Sequence, residues 1–280
     1  MSSRAWWAGR RTRRRRSIPL GFALALLVAA SAGALPVAAA TAASQGSNPP
    51  ACRIADSTTT FTSYADWSRT LVDWTLRVPA SYAPGDLVPV ARAGISGVGA
   101  IRALVIPDLA AMTRAARAAG APIAVESAYR SYSTQISVFN SWVQALGYDQ
   151  AIRGSARPGH SEHQLGVALD FKTPGGSAPW SIGGYDWATS WAGAWMMKNA
   201  WKFGFILSYP RGQSSQVCYG YEPWHYRYFG KALAAAIHAS GETSRAWLWQ
   251  QRTIEVAPPP SPRDTGAITV TTIQGLLGAP

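Results

Sequence analysis

The stretch GHSEHQLGVALDF, residues 159–171, constrains this chain more than any other. Its second half, LGVALDF, is an apolar run of the length of a buried strand, and an aspartate near its end needs a partner such as a cation if it is carried inside. His163 and Asp170 are seven positions apart. That is roughly 23 Å along a straight strand and about 10 Å along a helix axis. The two side chains meet on one ion only if the segment bends, and Gly166 is where the backbone turns at low cost.

The chain has four histidines, so the search for a third ligand is short. His238 lies in KALAAAIHASG and reads as a solvated residue on a surface helix. His225 lies in YEPWHYRY with Glu222 three residues earlier. A carboxylate beside a metal is what a hydrolase needs to take a proton from water and return it to a leaving amine. Pro223 fixes the backbone between the two. Glu162, next to His163, is the rival for that role; in an extended stretch its side chain points away from that histidine's side, which favours Glu222. A lone histidine is most often a core or surface residue, but His163 and His225 fall in the same two segments as Asp170 and Glu222, two of only 14 acids, and together they point to a metal site.

The N-terminus sets the compartment. The first 16 residues hold seven arginines and no acid, and residues 17–43 hold no charge. Residues 1–43 therefore read as an export signal, with A-x-A cleavage choices around Ala38, Ala40 and Ala42 and a mature start between Thr41 and Ser47. An uncleaved membrane anchor is the alternative, because the uncharged run is long enough to span a bilayer. Removing those arginines leaves 19 basic against 14 acidic residues, so most of the formal +12 is a targeting effect. No basic patch marks the remainder as a nucleic-acid binder. In an oxidising compartment the two cysteines, Cys52 and Cys218, are expected to form one disulfide.

Residues 44–255 read as a single domain, and 256–280 as a proline-rich linker and tail. IRALVIPDLAAMTRAARAAG is expected to be a helix ended by Gly120, APIAVESAYRS a buried strand, and STQISVFNSWVQALG a second helix capped by Ser133. Trp187, Trp191 and Trp195 recur at i, i+4 and i+8 and are read as core. FGFILSYP and GYEPWHYRYF read as strands. Helices and short strands without βαβ alternation predict an α+β domain with a small, mainly antiparallel sheet flanked by helices.

SAYRSYSTQ at 127–135, PGHSEHQLGVALDF at 158–171, and GFILSYP followed by YEPWHYRYFG at 221–230 closely resemble the zinc D-alanyl-D-alanine carboxypeptidases of the VanY type, in the family's order and over most of the domain. The resemblance implies a D,D-peptidase/hedgehog-like fold, Zn2+ bound by His163, Asp170 and His225, and Glu222 as general base and acid. It implies that Arg130 polarises the scissile carbonyl and stabilises the oxyanion, and that Ser161 and Gln135 hold substrate; His160 is left to shape its loop or contact substrate. The expected protein is an exported or envelope-associated monomer that hydrolyses the terminal D-Ala-D-Ala bond of peptidoglycan stem peptides. An endopeptidase or L,D-specific peptidase with the same zinc site, and a cell-wall-binding module without turnover, are the alternatives.

Overall fold

Residues 48–180 and 186–256 are described in a computed structural model, with side chains to residue 251. The expected export signal and tail lie outside the described residues. In chain order the elements are β1 (Ser57–Thr58), β2 (Leu76–Arg77), β3 (Leu87–Pro89), β4 (Ser96–Gly97), β5 (Ala100–Arg102), α1 (Ile106–Ala118), β6 (Ala124–Ser127), α2 (Tyr132–Leu146), α3 (Tyr148–Gly154), β7 (Ala168–Lys172), α4 (Trp191–Asn199), β8 (Phe205–Leu207), α5 (Ser214–Val217), β9 (His225–Tyr228), α6 (Lys231–Ser240) and α7 (Ser244–Val256). The central sheet has the order β4-β6-β7-β9-β8; only β4 and β6 run parallel. This is the α+β arrangement expected from the sequence.

Side-chain alternation along a strand divides the sheet into a core face and a site face. Leu169 and Phe171 of β7 and Tyr226 and Tyr228 of β9 enter the core, where Phe171 meets Phe205 and Tyr226 edge-on. Leu109, Met112, Thr113 and Ala116 make up the buried stripe of α1, and burying each large apolar side chain contributes about 1.5–3 kcal/mol. On the other face stand Asp170 of β7 and, directly opposite it, His225 of β9, with Arg227 two residues further on.

Three local readings are corrected. The helix expected from residue 101 starts at Ile106, because Ile101 and Arg102 pair with Val88 and Leu87, and Pro107 suits a first helical turn. Ser131, not Ser133, caps α2 by accepting from the Thr134 N–H. The tryptophan stripe is broken: Trp187 is buried and Trp195 packs on the core, but Trp191 is 86% exposed. Ser190 begins a new helix between Trp187 and Trp191, so the i, i+4, i+8 register is lost.

The segment before β3 has little regular structure and is held by buried polar contacts. Asp73 accepts from the Thr75 and Leu76 N–H groups and pairs with Arg245 Nε at 2.7 Å, which joins this segment to α7. Arg157 donates to the carbonyls of Ala55 and Trp74. His160 ring nitrogens lie 2.6 Å from Asp73 O and 3.0 Å from Asp56 Oδ1, so this histidine shapes its loop. The Cys52–Cys218 disulfide spans 166 residues and closes the same region. Crosslinks across long loops constrain the unfolded chain most, so replacing both cysteines by serine is expected to lower stability by about 2–5 kcal/mol. Urea midpoints of oxidised wild type and the double variant measure this, and coincident midpoints would contradict it.

Candidate metal centre and active site

His163 reaches the site because residues 162–165 form a 3-10 turn, with Ser161 Oγ accepting the His163 N–H and Gly166 in the left-handed region at φ 71°. That glycine reverses the chain into β7 and delivers Asp170 to the same place. The bend inferred from the seven-residue spacing is therefore a helical turn followed by a left-handed residue. His163, Asp170 and His225 are the one group of three among the described residues arranged to hold a metal ion, with ligand atoms within 4.8 Å of one another.

The donor chemistry fits a cation. His163 Nδ1 lies 2.6 Å from the Ala128 carbonyl, to which its N–H donates, leaving the Nε2 lone pair turned towards Asp170 Oδ2 at 3.1 Å. That Nε2 is buried and has no hydrogen-bond partner. Burial, then the Arg130 charge, lower His163 to about 4, so it is neutral at physiological pH. Burial opposes ionisation of Asp170, but its carboxyl is held well below the usual carboxylate range, with the His225 ring hydrogen-bonded to Oδ1. His225 Nδ1 is 3.0 Å from Asp170 Oδ1. Two imidazoles and one carboxylate, with space beside them, form the donor set of an open catalytic zinc site.

A cavity of about 500 Å³ opens on this cluster and is lined in part by Arg130, Ser161, Glu222 and Trp224. Glu222 Oε2 stands 3.9 Å from His225 Nδ1, just outside the cluster. Burial pushes its carboxyl up to about 7, with Asp170 adding to the shift and His225 and Arg130 opposing it. Arg130 lies beside Asp170, with Nη1 3.7 Å from Oδ2 and donating to Ser127 Oγ at 3.1 Å. The structure thus brings together His163, Asp170, His225, Glu222, Arg130 and Ser161.

Gln135 is not at the cavity wall. It is fully buried, and its Nε2 donates to the Ala156 carbonyl at 2.7 Å, so it ties α2 to the loop after α3 where substrate contact had been expected. His238 is exposed, as expected, and stacks on Trp201. The reading of Glu162 as pointing away is overturned. It lies in the 3-10 turn, where side chains do not alternate, and its Oε2 meets His225 Nε2 at 2.9 Å. Arg227, Ser208 and Tyr209 also surround the site unforeseen. The one signal for them was a buried-looking arginine two residues beyond His225.

If these three residues hold the metal, zinc at 100 times its Kd stabilises the fold by about 2.7 kcal/mol. Thermal melts with zinc and with chelator should differ accordingly for wild type and coincide for Asp170→Asn. A zinc-induced shift retained in the variant would exclude Asp170 as a ligand.

Comparison with known proteins identifies the family. The family VanY, D-alanyl-D-alanine carboxypeptidase, matches residues 100–231, which include all the site residues above. YodJ of Bacillus subtilis strain 168 is 35% identical over 172 residues, 60% of this chain and 62% of that protein. A D-alanyl-D-alanine carboxypeptidase of Enterococcus faecalis is 32% identical over 185 residues, 63% of each chain. The similarity thus spans less than two thirds of these relatives' length. Among solved structures, the LdcB LD-carboxypeptidase aligns with a TM-score of 0.56 and 31% identity over 64% of this chain and 85% of that one. A mutant of the vancomycin resistance D,D-pentapeptidase VanY, in complex with Zn(II), aligns with a TM-score of 0.55 and 29% identity over 65% and 99%. With the family match at residues 100–231 and 31% identity to LdcB over 85% of that chain, this chain belongs to the VanY family of D-alanyl-D-alanine carboxypeptidases.

Proposed function

We propose that this protein is an exported zinc metallopeptidase that removes the terminal D-Ala from peptidoglycan stem peptides. The observation that carries the reading is the placement of Glu222 beside His225 and of Arg130 beside Asp170, within the cavity that opens on the His163–Asp170–His225 cluster. Relatives named for D-alanyl-D-alanine cleavage and a Zn(II)-bound family member support the substrate and the metal. The arginine-rich start and the uncharged stretch after it support export, with release or anchoring both consistent with the sequence.

A zinc ion held by the three ligands supplies a Lewis acid for the scissile carbonyl and makes water easier to deprotonate. Glu222, raised towards neutrality by burial, accepts a proton from the attacking water and later gives it to the leaving amine as the C–N bond breaks. Arg130 directs a permanent positive charge at the oxygen on which negative charge develops. Ser161 lines the same wall and offers a hydroxyl to the peptide.

Similarity to LdcB favours a second reading, in which the same machinery cleaves the L,D bond of a stem tetrapeptide. Incubation of residues 44–280 with L-Ala-γ-D-Glu-L-Lys-D-Ala-D-Ala and with the corresponding tetrapeptide separates the two by mass spectrometry. Loss of one D-Ala from the pentapeptide alone, abolished by chelator, is expected. Cleavage of the tetrapeptide alone would replace the D,D reading by the L,D one. Glu222→Gln should lower kcat by about 10²–10⁴-fold while zinc stays bound; near-normal turnover would remove Glu222 from the role.

A further inference from the structure

Glu162 is a buried carboxylate that the proposed reaction does not use. Its Oε2 lies 2.9 Å from His225 Nε2 and accepts from Ser208 Oγ at 2.6 Å, while Oε1 accepts from Arg227 Nη1 at 3.1 Å. Arg227 is itself fully buried, and its Nη2 donates to the carbonyls of Trp67 and Thr70 at 2.8 Å each. A continuous chain of polar contacts therefore runs from the segment before β3, through Arg227 and Glu162, to the far side of the His225 ring. Tyr209 packs on that ring with centroids 4.7 Å apart, which limits its rotation.

A histidine bound to a metal through one nitrogen carries its proton on the other, and a carboxylate on that proton fixes both tautomer and ring orientation. On the zinc reading above, we propose that Glu162 is a positioning residue: it holds the proton of His225 on Nε2, so that Nδ1 presents its lone pair to the metal alongside Asp170 and His163. A merely structural Glu162 would serve only to neutralise Arg227. The two roles differ at Glu162→Gln, where the amide can turn its NH2 towards His225 Nε2 and so favour the tautomer whose Nδ1 carries the proton and cannot bind metal.

The test uses the full chain and zinc competed against a chelating dye, without peptide, so a wrong substrate assignment does not affect it. Zinc affinity is expected to fall about 10–100-fold in Glu162→Gln, with Glu162→Asp recovering part of the loss because it keeps the carboxylate. The visible d–d absorption of the Co2+-substituted Gln variant should also shift, which loss of stability alone does not produce. Wild-type affinity and an unchanged cobalt spectrum in Glu162→Gln would overturn the proposal. If that variant fails to fold, long-range ¹H–¹⁵N correlation of the histidine rings in zinc-loaded wild type decides: Nε2–H with metal on Nδ1 is expected, and metal on Nε2 overturns the assignment. A wild-type chain that binds no zinc overturns this proposal and the zinc reading together.

Discussion

An ionised carboxylate inside a buried strand is the constraint around which the rest of this structure is arranged. Asp170 lies between Leu169 and Phe171, two residues with no exposure, and an uncompensated charge there would be costly by several kcal/mol. His163 reaches it by a 3-10 turn and Gly166, and His225 by lying directly opposite on β9. Both histidines are themselves buried, so each needs a partner for its outer nitrogen, which the Ala128 carbonyl and Glu162 provide. The cluster is specified from within the sheet and braced from outside it.

That bracing links fold to chemistry. Arg227 leans on carbonyls of the irregular segment before β3, and Asp73 of the same segment pairs with Arg245 of α7. Cys218, which bonds to Cys52, stands four residues before Glu222. A part of the chain with little regular structure therefore fixes two sides of the site: the ring of His225 through Arg227 and Glu162, and the loop carrying Glu222 through the disulfide. Such indirect support matters because binding and catalysis are sensitive to displacements of about 1 Å.

Much of this was legible in the sequence, for physical reasons that can be named. An apolar run containing an aspartate, a glycine at the required bend and a second histidine motif rich in aromatics leave few arrangements other than a buried polar cluster, and the strand alternation of HYRY determines which side chains face it. What escaped was three-dimensional. An extended backbone would turn Glu162 away from the side of His163, whereas residues 162–165 form a 3-10 turn that carries its carboxylate to His225. Gln135 resembled a substrate contact by motif, yet its amide answers the Ala156 carbonyl. The tryptophan spacing suited one helix, but the Ser190 cap starts a new one and exposes Trp191. For Glu162 and for the tryptophans, a hydrogen bond between residues close in sequence, at Ser161 and at Ser190, resets the local geometry; for Gln135 it is a contact with a carbonyl 21 residues away.

The central claim is that this buried cluster is a metal centre with defined ligand atoms. Its most direct test is anomalous diffraction at the zinc edge from crystals of the purified protein. The account predicts a single strong peak at ligand distance, about 2.0–2.2 Å, from His163 Nε2, an Asp170 oxygen and His225 Nδ1, with Glu222 adjacent to the metal. A fully ordered cluster with no peak in zinc-supplemented crystals, or zinc held by other residues, would contradict it.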